Sequence, residues 1–174
     1  MNPEQQLAGW LKGDVAIVGV GNRFRGDDAA GSLAAGRIPP SPRVTVIDAR
    51  ETPEDYVAEL VSRRPGVVVF IDSVEMGSDP GSIAFLDRSQ MAGYWPTTHR
   101  MPLAALMEIV ERETGARVFA IGIQPGHTAF LRPMSGAVAA SVAQAAGMLT
   151  RALAGRPAAA RGSAAESSRG GVCL

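Results

Sequence analysis

Short apolar runs that close on an aspartate or a turn residue are the feature that most restricts the fold of this chain. Runs of this kind, bounded by Gly, Asn or Asp, are typical of strands that are buried on both faces of a sheet. We therefore predict five strands. They occupy residues 15–20, 44–48, 67–72, 82–87 and 117–122.

Helical patterns separate most of these runs. Apolar side chains recur at helical spacing within residues 28–36, 54–63 and 134–153, and a stripe at i, i+3, i+4 and i+7 begins at Leu103. Alternating strands and helices predict an α/β fold, a three-layer αβα sandwich around a mostly parallel sheet. The link at 73–81 is too short for a parallel crossover, which needs about a dozen residues. We therefore predict a five-stranded mixed sheet in which strand four is antiparallel.

Composition narrows the classes of function. Seventeen basic residues balance seventeen acidic ones and aromatic residues make up 5%, which argues against a nucleic-acid partner. The first thirteen residues lack a secretory pattern, and residues 133–150 read as a buried helix too weakly apolar for a membrane span. The one cysteine, Cys173, allows no internal disulfide, which fits a reducing compartment. We expect a cytoplasmic protein with no membrane partner.

The chain divides by composition near its C-terminus. Residues 1–155 carry the strand and helix patterns and predict one domain. Residues 156–174 are rich in Ala, Gly, Ser and Arg, and a segment with so little to bury is predicted to be disordered.

Three residues are predicted to converge at the carboxyl edge of the parallel strands, where α/β sheets bind ligands. Asp28 opens the helix after strand one, Asp72 closes strand three, and His99 precedes the helix that feeds strand five. Two carboxylates and an imidazole suit a divalent transition metal such as nickel or zinc better than magnesium. Each residue also has an ordinary interpretation: a helix cap for Asp27 or Asp28, a turn aspartate for Asp72, a hydrogen-bonding role for His99.

Gly19-Val-Gly-Asn22 follows a strand and precedes a helix, as a dinucleotide-binding loop would. The third glycine of that fingerprint is replaced by Phe24, although Asp48 could imitate its ribose-binding acid. We favour a tight turn in which Asn22 hydrogen-bonds the loop that carries Asp28. The second histidine, His127, could reach the same edge, but a solvent-facing loop role is the better interpretation.

At these residues the sequence resembles the nickel-iron hydrogenase maturation endopeptidases, over about residues 14–155. The resemblance lies in five separated motifs that occur in the family's order. They are Gly19-Val-Gly-Asn22 with Gly26-Asp-Asp28, Ile71-Asp-Ser73, Thr97-Thr-His-Arg-Met-Pro-Leu103, Gly122-Ile-Gln-Pro125 and Pro133-Met134. The last elements are most similar to the branch that matures the large subunit of hydrogenase 3, the formate-hydrogenlyase enzyme.

The resemblance implies that Asp28, Asp72 and His99 are metal ligands and share in catalysis. It implies that the nickel is supplied by the substrate, a nickel-loaded large-subunit precursor, and that the enzyme holds no permanent metal. A monomeric peptidase would then remove the precursor's C-terminal extension. Asp48-Ala-Arg-Glu51 departs from the glycine pair common in the family, which makes the choice of substrate uncertain. Two alternatives stay open: a self-sufficient metal-dependent peptidase and a nucleotide-binding module.

Overall fold

A five-stranded mixed sheet forms the centre of the molecule, whose computed structural model describes residues 2–93 and 101–156. The strands lie in the order β2-β1-β3-β5-β4, and all pairs are parallel except β4 with β5. Their bounds are β1 Val15–Val20, β2 Val44–Arg50, β3 Val67–Ser73, β4 Ile83–Leu86 and β5 Arg117–Ile123. The predicted sheet, with its antiparallel fourth strand, is confirmed.

Helices cover both faces of this sheet and complete the three layers. One face carries α1 (Pro3–Trp10), α2 (Ala30–Ala35) and α6 (Gly136–Ala154), and the other carries α3 (Val57–Arg63), α4 (Arg88–Met91) and α5 (Leu103–Thr114). Every residue of the central strands β1 and β3 is buried. Their continuous apolar sequences are therefore explained by burial on both faces of the sheet.

The short link between β3 and β4 makes the antiparallel pairing possible. Gly77 and Gly81 adopt positive φ angles of 69° and 87°, a region that glycine enters without steric cost. The chain thus reverses within a few residues, and Ile83 of β4 pairs with Ile123 of β5. A parallel β4 would have required a crossover on the scale of the one that contains α5.

The helices differ from the sequence prediction at their ends. The first helical stretch, predicted over 28–36, is split into a 3₁₀ turn over Gly26–Ala29 followed by α2. The second, predicted over 54–63, is likewise split into a 3₁₀ turn over Pro53–Tyr56 followed by α3. Pro102, expected in the first turn of α5, is instead its N-cap residue.

Helix α1 was not predicted at all. Asn2 caps it by accepting a hydrogen bond from the backbone N of Glu4 at 2.9 Å, and Gln5 completes a capping box. Only Leu7 of this helix is fully buried, so the apolar periodicity of the segment is too weak to indicate a helix. The capping box of Asn2 and Gln5 is the sequence signal that could have indicated it.

Helix α6 is more apolar than the sequence analysis expected. It is long and apolar enough to cross a membrane by length and hydropathy alone, contrary to the sequence interpretation. The prediction of a buried helix holds for one face of α6, because 44% of the relevant window is buried within the fold. Val138, Val142 and Leu149 are among the residues it contributes to the core.

Two predictions lie outside the described residues. His99 falls within 94–100, and the predicted disordered tail falls almost wholly within 157–174. Both stay predictions.

Candidate active site

The direction of the chain connections reverses between β1 and β3. Strand β1 leads to β2 on one side of the sheet, whereas β3 is followed by β4 and β5 on the other. The carboxyl ends of strands at such a reversal form a crevice, which is where α/β sheets bind their ligands. Asp28 follows β1 and Asp72 is the penultimate residue of β3, so both belong to this crevice.

Asp28 is fully buried in the 3₁₀ turn that follows β1. Its Oδ2 accepts a hydrogen bond from the backbone N of Asn22 at 3.0 Å, and its Oδ1 accepts one from Ser73 Oγ at 3.4 Å. The carboxylate is therefore oriented from two sides, by the turn after β1 and by the end of β3.

Asp72 is the penultimate residue of β3 and only 4% exposed. It pairs in register with Gly122 of β5, and its neighbour Ser73 makes the bond to Asp28. Because β1 and β3 pair as far as Gly19 and Ile71, the two strands end at the same level of the sheet. Two of the three predicted site residues, Asp28 and Asp72, therefore lie at the carboxyl edge of the sheet.

Two glycines allow the chain to approach this closely. A Cβ atom at Gly21, where φ is +135°, would lie 1.8 Å from the carbonyl oxygen of Asp28. A Cβ atom at Gly31 in α2 would lie 1.9 Å from the carbonyl oxygen of Ile71. A side chain at Gly21 would push the Asp28 turn away from the end of β1, and a side chain at Gly31 would push α2 away from β3.

His99, the third predicted site residue, lies outside the described residues, so its convergence with the carboxylates stays a prediction. Helix α5 begins four residues later, at Leu103, and runs into the parallel strand β5. Within the ranges 2–93 and 101–156, no group of three or more His, Cys, Asp or Glu side chains is placed to hold a metal ion.

Asn22 joins the site to the loop after β2. Its side-chain Oδ1 accepts from the backbone N of Phe24 at 2.7 Å, and its Nδ2 donates to Glu51 Oε1 at 2.8 Å. Together with its backbone bond to Asp28, these contacts confirm the tight turn predicted for Gly19-Val-Gly-Asn22.

Asp48, considered above as a ribose-binding acid, is already engaged within the protein. Its Oδ1 accepts from Ser32 Oγ at 2.6 Å and its Oδ2 from Arg23 at 2.9 Å, and Arg50 lies 3.7 Å away. These contacts occupy both carboxylate oxygens, which weakens the nucleotide-binding alternative.

Asp27 forms a second site that the sequence did not reveal. Its buried carboxylate accepts bonds from the backbone N of Gly126 at 2.8 Å, of His127 at 3.1 Å and of Ser135 at 2.6 Å, and from Ser135 Oγ at 3.0 Å. We call Asp27, Gly126, His127 and Ser135 the latch. A helix cap was one interpretation of Asp27, but its side chain does not cap the helix that follows it. It binds the N-cap residue of α6, which lies 108 residues further along the chain.

The electrostatics of the latch favour the charged carboxylate. Burial raises the pKa of Asp27, but the hydrogen bonds from Ser135, Gly126 and His127 outweigh it and leave the pKa below its usual value of 3.8. Asp27 is therefore an ionised structural anchor at neutral pH.

His127 is exposed, as predicted, yet it is not an independent loop residue. Its carbonyl oxygen accepts from the backbone N of Asp27 at 3.0 Å, and a Cβ atom at Gly26 would lie 2.5 Å from its imidazole Cε1. It therefore packs against the turn that carries Asp28, at the same edge of the sheet.

Comparison with known proteins identifies the family to which this arrangement belongs. The family model described as HycI, hydrogenase maturation protease, matches residues 30–152, a range that includes Asp72 and His99 and begins just after Asp28. The hydrogenase 3 maturation protease of Escherichia coli K12 is 35% identical over 119 residues, which cover 67% of this chain and 76% of that protein. The chain belongs to the hydrogenase maturation proteases.

Solved structures agree with this assignment. A crystal structure of the [NiFe] hydrogenase maturation protease HycI from Thermococcus kodakarensis KOD1 superposes with a TM-score of 0.79 at 30% identity, over 86% of this chain and 99% of that one. The solution structure of the endopeptidase HycI from E. coli gives a TM-score of 0.72 at 31% identity, over 79% and 90% of the two chains. This maturation protease is thus a peptidase, close to the proteases of hydrogenase 3.

Proposed function

We propose that this peptidase removes the C-terminal extension of a nickel-iron hydrogenase large-subunit precursor after nickel insertion. We further propose that Asp28, Asp72 and His99 recognise the nickel in that precursor and take part in the cleavage. The observation that carries the proposal is the pair of buried carboxylates at the reversal point of the sheet, on a chain of the maturation protease family.

The carboxylates suit a metal that arrives with the substrate. Two aspartates and a neutral imidazole provide two negative charges and three ligand atoms, which leaves coordination positions for the precursor's own groups. The bonds from Asn22 and Ser73 hold the carboxylate of Asp28 in a fixed orientation at the end of the strands.

The proposed chemistry uses the nickel as part of the substrate. The metal polarises the scissile carbonyl or the attacking water, and one of the two aspartates accepts the water's proton and passes it to the leaving amine. His99 completes the recognition of the metal. A nickel-free precursor has no metal that could hold its scissile bond against the carboxylates, so cleavage requires prior insertion of nickel.

The test compares two forms of one precursor. Purified enzyme is incubated with the nickel-loaded and the nickel-free large-subunit precursor, and the truncated product is quantified by mass spectrometry. We expect cleavage of the loaded form alone. Equal cleavage of both forms would contradict the proposal that recognition requires nickel. Stoichiometric zinc in the isolated enzyme would favour a self-sufficient metallopeptidase.

His99→Ala provides the matched variant. We expect it to abolish processing while the thermal unfolding midpoint stays within a few degrees of the wild type. His127→Ala is the control, because it removes the other imidazole but keeps the backbone bonds of the latch. An unfolded His99→Ala protein would show that His99 is a structural residue.

A further inference from the structure

Three large apolar side chains are strongly exposed beside the site. Phe24 is 65% exposed, Phe130 is 61% exposed and Leu131 is 70% exposed. Over residues 2–93 and 101–156, every large apolar side chain with this degree of exposure lies on the loop after β1 or the loop after β5. We call these three residues the apolar rim. Single exposed apolar residues are common on proteins, but a cluster of them marks an interaction surface.

Backbone bonds join the two loops of the apolar rim into one surface. The backbone N of Leu131 donates to the carbonyl oxygen of Phe24 at 2.6 Å. Leu131 has a φ angle of +56°, a left-handed conformation that is rare for a leucine and needs support from its surroundings. The side chains of Phe24 and Leu131 are thus presented from directly bonded segments.

The apolar rim is also held in place from beneath. The latch ties the loop after β5 to Asp27 through Gly126, His127 and Ser135, and Asn22 holds the backbone N of Phe24. A surface that is fixed before binding loses little conformational entropy when a partner covers it. Its exposure is therefore a fixed property of the fold, maintained by four hydrogen bonds to one buried carboxylate.

The position of the apolar rim indicates its occupant. Phe24 lies four residues before Asp28 in the turn that carries that carboxylate, and Asn22 bonds to both residues. A polypeptide that places a peptide bond at Asp28 and Asp72 must lie beside the loops after β1 and β5, since both loops leave the same edge of the sheet. The surface is therefore continuous with the site of the substrate chain.

We propose that the apolar rim is the docking surface for the large-subunit precursor, which covers it with bulky apolar side chains near the cleaved bond. The inference rests on the proposed function and deepens it, because it assigns substrate affinity to residues that take no part in the chemistry. In this proposal the nickel distinguishes the loaded precursor from the nickel-free one, and the apolar rim distinguishes the large-subunit polypeptide from other polypeptides.

The experiment separates binding from cleavage. Phe24→Ser, Phe130→Ser and the double variant are compared with the wild type for the Kd of the nickel-loaded precursor and for KM and kcat. Burial of one large apolar side chain corresponds to about a tenfold change in affinity or more. We expect Kd and KM to rise about tenfold in each single variant and about a hundredfold in the double variant, with kcat unchanged.

Val61→Ser serves as the matched control, because Val61 is a partly exposed apolar residue on α3 that belongs to neither core cluster. It should leave Kd and KM unchanged. An unchanged Kd in the double variant would overturn the docking proposal even if the wild type cleaves nothing. A wild type that binds the precursor but never cleaves it would overturn the proposed function alone.

Size-exclusion chromatography tests the competing occupant, a second copy of this chain. A wild-type dimer that dissociates in the double variant would overturn the proposal in favour of self-association. A monomer at all concentrations, for both proteins, is the expected result.

Discussion

Asp27 and Asp28 are neighbours in the chain and equally buried, yet they serve two different regions of the molecule. Asp27 faces the loop after β5 and receives four hydrogen bonds there, so its charge is balanced within the fold. Asp28 faces the end of β3, where its oxygens are oriented by Asn22 and Ser73. The comparison teaches that one turn supplies both the residue that anchors the loop after β5 and a residue of the candidate site.

The largest effect should come from the site carboxylate. Asp28→Asn keeps the shape of the side chain and an oxygen for the bond from Asn22, but it loses the negative charge that the proposed metal recognition and proton transfer require. We expect the processing rate to fall about a thousandfold, with the free energy of unfolding within about 1 kcal/mol of the wild type. Single-turnover cleavage and urea denaturation measure the two quantities. A strongly destabilised Asp28→Asn protein would show that Asp28 stabilises the fold as Asp27 does, which would contradict the different roles assigned to the two aspartates.

Asp27, the structural anchor, should contribute more to stability than Asp28 does. Asp27→Ala leaves the backbone N–H groups of Gly126, His127 and Ser135 without their shared acceptor in a buried setting. We expect the free energy of unfolding to fall by about 3 kcal/mol. Asp27→Asn, which retains one acceptor oxygen, should lose less. Urea denaturation at neutral pH decides this, and a loss no larger than that of Asp28→Asn would contradict the assignment.

The smallest effect is a pH dependence of the stability that Asp27 contributes. Burial raises the pKa of Asp27, but the bonds from Ser135, Gly126 and His127 lower it further, to below 3.8. A carboxyl with a depressed pKa in the folded state stabilises the fold fully above its unfolded value and loses that contribution as the pH falls through the folded value. The stability advantage of the wild type over Asp27→Asn should therefore shrink below about pH 3.8. An advantage that does not change with pH would show that the ionised form is not what the latch requires.

Much of this fold could be predicted because its causes are local in the sequence. Continuous apolar runs ending at Val20 and Asp72 mark strands that are buried on both faces, and the short link after β3 forces β4 to run antiparallel. The place of Asp28 and Asp72 follows from the same reasoning, since the carboxyl ends of parallel strands share one edge.

The rest could not be predicted because its causes lie far away in the chain. Asp27 has the residue type and position of a helix cap, and its real partners are 99 to 108 residues distant. Nothing near Asp27 in the sequence indicates Ser135. The exposure of Phe24 has the same origin, because the loop after β5 holds the turn in its observed conformation.

The bond between Asp27 and Ser135 also bears on the order of folding. It closes a loop of 108 residues, and contacts of such long sequence separation form late because the entropy of loop closure must be met first. During synthesis, the segment that opens α6 leaves the ribosome after all five strands. A nascent chain that ends before Ser135 therefore lacks two of the four donors to Asp27, and the latch is completed only when the last helix has docked.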